Sequence, residues 1–107
     1  MTRNEIIAAL SAVGALMQEP DEQLSSVLRR TEINNPWFTD LECRRMLSSF
    51  SELMLNKSAL ETWAARYEEN TTSKTVGLVL AGNVPFVGMH DIICVLVSGH
   101  IALIKLS

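Results

Sequence analysis

The sequence of 107 residues predicts an α/β fold, in which a helical segment precedes the first strand-helix-strand unit of a parallel sheet. Apolar residues recur at helical spacing up to residue 69, whereas the last third of the sequence is almost continuously apolar. Such a run is typical of elements that are covered on both faces, as in parallel sheets. We therefore expect a helical region over residues 1–70 and a sheet region over residues 71–107.

The composition predicts a globular protein and excludes several classes of function. Hydrophobic residues make up 48% of the chain and the net charge is −3, so we expect no nucleic-acid partner and no attraction to anionic membranes. Two cysteines and the absence of a signal sequence favour a reducing, cytoplasmic location. The apolar stretch over residues 84–104 is interrupted by His90, Asp91 and His100, which favours a buried interior over a membrane span.

Capping motifs predict where the helices of the first region begin. The pattern S/T-x-x-E, in which two side chains cap each other's backbone N–H groups, occurs at Thr2 with Glu5, Thr39 with Glu42 and Ser58 with Glu61. They predict helices over residues 3–17, 40–55 and 59–68. Pro20 and the apolar stripe that follows it predict another helix over residues 21–30.

The motif NNPWFT predicts a turn between the second and third helices. Asn34 and Asn35 tolerate unusual backbone angles, and the residue before Pro36 is pushed out of the helical region. Phe38 is expected to contact the helix that follows, and Trp37 is expected to be a packing anchor.

The apolar third predicts a strand over residues 75–81, a tight loop, a helix over residues 85–98 and a second strand over residues 101–106. A strand, a helix and a strand in this order form a unit whose strands are parallel. Two parallel strands are too few for a domain, so we expect the chain to be the N-terminal, truncated part of a longer α/β protein.

The loop Ala81-Gly82-Asn83-Val84-Pro85 is the candidate site, because ligands of open parallel sheets bind beyond the carboxyl ends of the strands. Gly82 permits a sharp bend, and Pro85 is suited to the start of a helix. Asn83 either presents its amide to a developing negative charge or simply caps the helix.

Taken together, VGLVLAGNVPFVGMHDIICVLVSGHIALIKLS, residues 76–107, resembles the start of the cofactor domain in the aldehyde dehydrogenase superfamily. It is most similar to the acyl-CoA reductases of the bioluminescence fatty-acyl reductase (LuxC) type. In that group AGNVP replaces the Pro-Trp-Asn of ordinary aldehyde dehydrogenases, and NNPWFT resembles its N-terminal region. The resemblance implies a Rossmann-type parallel sheet that binds NADP or NAD.

The resemblance also implies roles for three residues. Asn83 matches the asparagine that helps to form the oxyanion hole. Lys105 matches the lysine that contacts the adenosine ribose of the cofactor, and Ser107 matches the last position of the same Lys-x-Ser motif. Leu106 stands where ordinary aldehyde dehydrogenases usually have proline. Without the motif, Lys105 is a solvated charge at the end of a strand.

The implied reaction reduces an acyl-CoA to an aldehyde through a cysteine acyl-enzyme. The family nucleophile lies downstream of residue 107, so this segment alone is expected to be inactive. Cys43 and Cys94 are expected to be structural, and His90 a hydrogen-bonded core histidine. His90 and His100 have no partners at metal-ligand spacing, so no metal site is expected.

A second function stays open, which is a non-catalytic helical interaction module. Its apolar tail would pair with a partner or with another copy of the chain through exposed strand edges, forming a homo-oligomer.

Overall fold

The computed structural model describes residues 1–82 and 84–107, so Asn83 lies outside the described residues. The described residues form a mixed α/β fold, as predicted, with five helices and a two-stranded parallel sheet. The elements in chain order are α1 (Arg3–Gln18), α2 (Glu22–Asn34), α3 (Asp40–Met54), α4 (Lys57–Ala64), β1 (Thr75–Val79), α5 (Met89–Val97) and β2 (Ile101–Lys105).

Two of the three predicted capping motifs start helices in the structure. At α1 the box is complete, because the Thr2 hydroxyl accepts from the Glu5 N–H at 3.2 Å and the Glu5 carboxylate accepts from the Thr2 N–H at 3.3 Å. Hydrogen bonding to the Glu5 carboxylate, first from the Thr2 backbone N–H and then from the Thr2 side chain, lowers the pKa of Glu5, since it favours the charged form. At α3 the Thr39 hydroxyl accepts from the Glu42 N–H at 3.1 Å.

The helix start predicted from Ser58 and Glu61 was wrong, because α4 begins at Lys57, two residues before the predicted start. Asn56 is the N-cap, and its side-chain oxygen accepts from the Ala59 N–H at 3.2 Å. Asn caps a helix as well as Ser does, so Ser58 is taken into the first turn instead. The predicted helix over 59–68 therefore becomes Lys57–Ala64.

Arg3 holds the end of α4 against the start of α1. Its guanidinium donates to the backbone carbonyl oxygens of Ala64, Tyr67 and Glu68 at 3.0, 2.9 and 3.1 Å. A helix leaves its last carbonyl groups without partners inside the helix, and a cation is favourable at this end of the dipole. Arg3 therefore closes α4 and fixes the path of the chain that leads toward the sheet.

The core is shared between the helical region and the strand-helix-strand unit. Its buried apolar residues are Ile7, Leu10, Met17, Leu28, Cys43, Leu47, Leu55, Leu60, Ala64, Ile93 and Val97. The last two belong to α5, so one face of this helix packs on the helical region. Its contacts with both strands leave it between the sheet and the remaining helices.

The predicted parallel pairing is confirmed. Thr75 is the register partner of Ile101, and Val79 is the partner of Lys105. Both strands end slightly earlier than predicted, although the Leu80 N–H still donates to the Lys105 carbonyl at 3.0 Å. His100 lies just before β2, and its Nδ1 accepts from the Lys74 N–H at 3.1 Å.

The predicted start of α5 at residue 85 was wrong, because the helix begins at Met89 with Gly88 as its N-cap. Phe86 has a φ of 61°, in the left-handed region, which interrupts a right-handed helix. The residues between Val84 and Gly88 form turns. The loop after β1 is therefore longer than the sequence indicates.

One face of the sheet is bare in the described structure. Val79, Ile101 and Leu103 are exposed there, Leu103 to 64%. A Cβ atom added to Gly77 would meet nothing within 4 Å.

Among the described helices, none combines the length and the apolar character needed to cross a bilayer.

Candidate functional site

The loop after β1 and the end of β2 meet at the carboxyl edge of the sheet. A Cβ atom on Gly82 would collide with the hydroxyl and Cβ of Ser107, so these residues lie in direct contact. The structure thus brings together two segments that the resemblance singles out. The role predicted for Asn83 falls outside the described residues.

A cavity of about 380 Å³ lies between this loop and the end of α2. The turn NNPWF supplies Asn34, Asn35 and Phe38 to its wall, and the loop supplies Gly82 and residues 84–86. The two motifs that carry the resemblance are therefore neighbours in space. We call this space the α2 cavity. Its described lining is mainly apolar, with polar groups from Thr31, Asn34 and Asn35.

An apolar groove of about 430 Å³ runs along the other side of the loop, against α3. Its lining residues are Met46, Ser49, Phe50, Leu53 and Met54 of α3 and residues 84–87 of the loop. We call it the α3 groove. The described residues that line it include no charged side chain, so it suits an uncharged, flexible ligand.

A smaller cavity of about 230 Å³ opens at the carboxyl ends of the strands. Leu80, Gly82, Phe86 and Ser107 are among its lining residues. Val84 and Phe86 line this cavity, the α2 cavity and the α3 groove alike. The loop therefore stands at the junction of three spaces.

Lys105 is the last residue of β2, and its side chain is exposed. It forms no ion pair with any residue in the described ranges. Its register partner is Val79, which shares the bare face of the sheet. The ammonium group is thus free to contact a ligand that reaches this edge.

The expectation that Trp37 anchors packing was wrong, because the residue is 90% exposed. The Asn35 side chain accepts from the Trp37 N–H at 3.1 Å, and the Phe38 N–H donates to the Asn35 carbonyl at 3.0 Å. This tight turn directs Phe38 toward the core and leaves Trp37 in solvent.

The pKa of each cysteine thiol is raised by its surroundings. Cys43 is 1% exposed, and burial, followed by the nearby carboxylates of Asp40, Glu32 and Glu42, raises the pKa of its thiol. Burial and then Asp91 raise the pKa of the Cys94 thiol. A raised pKa lowers the fraction of reactive thiolate at neutral pH.

His90 is exposed, so the prediction of a core histidine was wrong. That prediction placed Phe86, His90 and Ile93 on one helical face, but Phe86 precedes the helix. The His90 Nδ1 lies 3.8 Å from the Cys94 sulfur and 4.0 Å from an Asp91 carboxylate oxygen. Among the described residues, no group of three His, Cys, Asp or Glu side chains is arranged to hold a metal ion.

The contribution of α3 to the site was missed by the sequence reasoning. Cys43, Leu47 and Ser51 form the buried face of α3, and Met46 and Phe50 form a second apolar stripe beside it. A helix with two adjacent apolar stripes has more apolar surface than one core contact requires. This additional apolar surface on α3 is the sequence signal that could have indicated the groove.

No protein-family model, curated protein or solved structure matches this chain. The likeness to the acyl-CoA reductases therefore depends on the sequence motifs alone. Three cavities and both strand ends meet at the loop after β1, so this loop stays the candidate site.

Proposed function

We propose that residues 1–107 form the N-terminal part of an NAD(P)-dependent acyl-CoA reductase, which converts a fatty acyl-CoA thioester to an aldehyde. The observation that carries this proposal is the position of the loop after β1, between an apolar groove and the carboxyl ends of two parallel strands. The acyl group and the nicotinamide of such a reductase must both reach the same carbonyl carbon, so an acyl site and a cofactor site beside one loop fit this function.

The α3 groove is the proposed site of the acyl chain. Its lining of Met46, Phe50, Leu53 and Met54 is apolar, and two of these residues are flexible methionines that adapt to irregular ligands. Each methylene group that leaves water on binding contributes about 0.8 kcal/mol. The groove lies against residues 84–87, which follow Asn83 directly in the chain.

Asn83 is the proposed oxyanion donor. When a thiolate attacks the thioester carbonyl, negative charge develops on the oxygen, and a neutral amide N–H stabilises it without the cost of burying a cation. Loss of one such donor typically costs about 3 kcal/mol of transition-state stabilisation.

Lys105 and Ser107 are the proposed cofactor contacts. Lys105 is exposed at the end of β2, and Ser107 lies against a glycine that has no side chain to obstruct a ligand. These features fit a ribose hydroxyl and a phosphate-bearing ligand at the edge of the sheet. NAD(P)H held by these residues would supply the hydride for reduction of the acyl group.

The nucleophile of this proposal is a cysteine outside residues 1–107. Cys43 is buried, and both thiols present have pKa values that are raised by burial. The segment therefore contributes the oxyanion donor, the acyl groove and part of the cofactor site, but no thiolate.

The decisive experiment is an assay of the protein encoded by the complete reading frame. Oxidation of NADPH or NADH in the presence of hexadecanoyl-CoA, with the aldehyde trapped by a hydrazine, is the expected result. Asn83→Ala should lower kcat by about 100-fold and leave the KM for the cofactor unchanged. Lys105→Ala should raise that KM, and Lys74→Ala, at the other end of the sheet, is the matched control. Absence of reductase activity with either cofactor would contradict the proposal.

The bare sheet face favours a second candidate, the interaction module. Ile101, Leu103 and Val79 expose apolar surface on a face that parallel sheets normally cover. If this module is correct, sedimentation equilibrium should detect association of the 107-residue protein, and Leu103→Lys should abolish it. A monomer at all concentrations would exclude self-pairing.

A further inference from the structure

We propose that His90 and Cys94 form half of a zinc site, which a second copy of the chain completes as a tetrahedron of two cysteines and two histidines. The pair lies on an exposed flank of α5. Neither residue is among the described lining residues of the three spaces at the loop after β1. The inference is therefore independent of the proposed reductase.

The first support is the spacing of the two residues within α5. Residues four positions apart lie on the same face of a helix, as do the two histidines of the metal-binding motif H-E-x-x-H. Imidazole nitrogen and thiolate sulfur are the donors of many structural zinc sites. One turn of α5 thus supplies two of the four ligands that zinc requires.

The second support is the distance between the donor atoms. The Cys94 sulfur lies 3.8 Å from Nδ1 and 3.9 Å from Nε2 of His90. Bonds of about 2.3 Å to sulfur and about 2.0 Å to nitrogen put the two donors about 3.5 Å apart on a tetrahedral ion. The observed separation needs only a small closure, and the exposed His90 ring is free to turn one nitrogen toward the ion.

The third support is the negative charge beside the pair. A carboxylate oxygen of Asp91 lies 4.0 Å from the His90 Nδ1. Burial and then Asp91 raise the pKa of the Cys94 thiol, which opposes a free thiolate. A zinc ion offsets this effect, because it takes the place of the thiol proton, which leaves to solvent, and it is attracted by the carboxylate.

The remaining two ligands are proposed to come from another molecule. Among the described residues, no group of three His, Cys, Asp or Glu side chains is arranged to hold a metal ion. His90 and Asp91 are exposed and Cys94 is partly exposed, so this flank of α5 is open to a second copy. A two-fold axis would present the same pair from that copy, which completes a closed tetrahedral site.

The test is sedimentation equilibrium of the 107-residue protein with and without zinc chloride, in a phosphine reductant that prevents disulfide formation. We expect zinc to convert the protein to a dimer with one metal ion per two chains, and a chelator to reverse this change. Cobalt chloride should give the visible absorption bands of a tetrahedral thiolate complex.

Substitutions identify the ligands. Cys94→Ser and His90→Ala should each abolish the zinc-dependent dimer, and circular dichroism should show that both variants remain folded. Asp91→Asn is the matched control on the same helix, because the proposal gives Asp91 no bond to zinc, and it should still form the dimer. Leu103→Lys should also still form it, which separates the zinc site from pairing through the bare sheet face.

Three outcomes would overturn the inference. The first is an oligomeric state that zinc does not change, and the second is a complex of one zinc ion with a single chain, since the second copy then contributes no ligand. The third is zinc-dependent dimerisation that both Cys94→Ser and His90→Ala retain, which would place the metal elsewhere. The reductase assay decides the proposed function separately.

Discussion

Gly82 and Ser107 lie in contact across the carboxyl edge of the sheet, although 24 residues separate them in the chain. We expect Gly82→Ala to reduce the free energy of unfolding by less than about 1 kcal/mol, because the Ser107 side chain can move aside at a modest cost. Replacing Ser107 by glycine in the same protein should restore stability. Urea denaturation of the two single variants and the double variant measures the coupling energy.

Gly77→Ala is the control for this cycle, since a Cβ atom at position 77 meets nothing within 4 Å. Its stability should be unchanged or higher by about 0.5 kcal/mol, because alanine restricts the unfolded chain. Additive effects of Gly82→Ala and Ser107→Gly would contradict the contact.

Arg3 is predicted to stabilise the protein more than any exposed arginine. Its side chain is 14% exposed and donates to the carbonyl groups of Ala64, the last residue of α4, and of Tyr67 and Glu68 just beyond it. Arg3→Ala should lower the free energy of unfolding by about 2 kcal/mol, since these bonds involve a charged donor. Arg66→Ala, on the exposed surface nearby, should change it by less than about 0.5 kcal/mol. Equal effects of the two variants in urea denaturation would contradict this role.

The two candidate caps of α4 can be distinguished by substitution. Asn56→Ala should cost about 1 kcal/mol of stability, because the Ala59 N–H loses its acceptor. Ser58→Ala should be nearly neutral, since Ser58 lies in the first turn and is exposed. Thermal unfolding followed by circular dichroism is the measurement. The opposite order would place the start of α4 where the motif Ser58 to Glu61 predicts it.

The thiols are predicted to react slowly at neutral pH. Burial raises the pKa of both, so each keeps its proton to a higher pH than an ordinary cysteine, and only the thiolate is alkylated. The rate of Cys94 alkylation by iodoacetamide should therefore continue to rise above about pH 8.5. A rate that is constant between pH 7 and pH 9 would indicate an activated thiolate instead.

Cys94→Ser isolates Cys43, which is 1% exposed. Its alkylation in the native protein should be limited by transient opening, and it should accelerate sharply at the midpoint of urea unfolding.

Short sequence motifs predicted the helix starts that depend on residues close together in the chain, and the order of the elements predicted the strand pairing. The hydroxyls of Thr2 and Thr39 cap the helices that follow them, and the parallel pairing follows from a strand, a helix and a strand in that order. The end of α4 was misplaced, and in the structure Arg3, from the other end of the helical region, donates to the carbonyl of its last residue, Ala64.

The features of the site that the sequence did not predict depend on tertiary contacts. Pro85 favours a helix start, but packing holds the next residue in a left-handed conformation and delays the helix to Met89. The exposure of Trp37 likewise depends on a turn that directs Phe38 inward. The α3 groove requires two segments that are distant in the chain, and apolar periodicity identifies only one of them.

The pairing of Thr75 with Ile101 has a consequence for folding during synthesis, because the two residues lie far apart in the chain. β1 leaves the ribosome before α5 and β2, so its backbone groups have no partner until the end of this segment emerges. The contacts among the first four helices need neither strand, whereas the strands can pair only after β2 has been synthesised. During synthesis, the segment Thr75–Val79 therefore follows the first four helices with its backbone hydrogen-bonding groups unpaired. We expect chaperones to bind this segment at that stage.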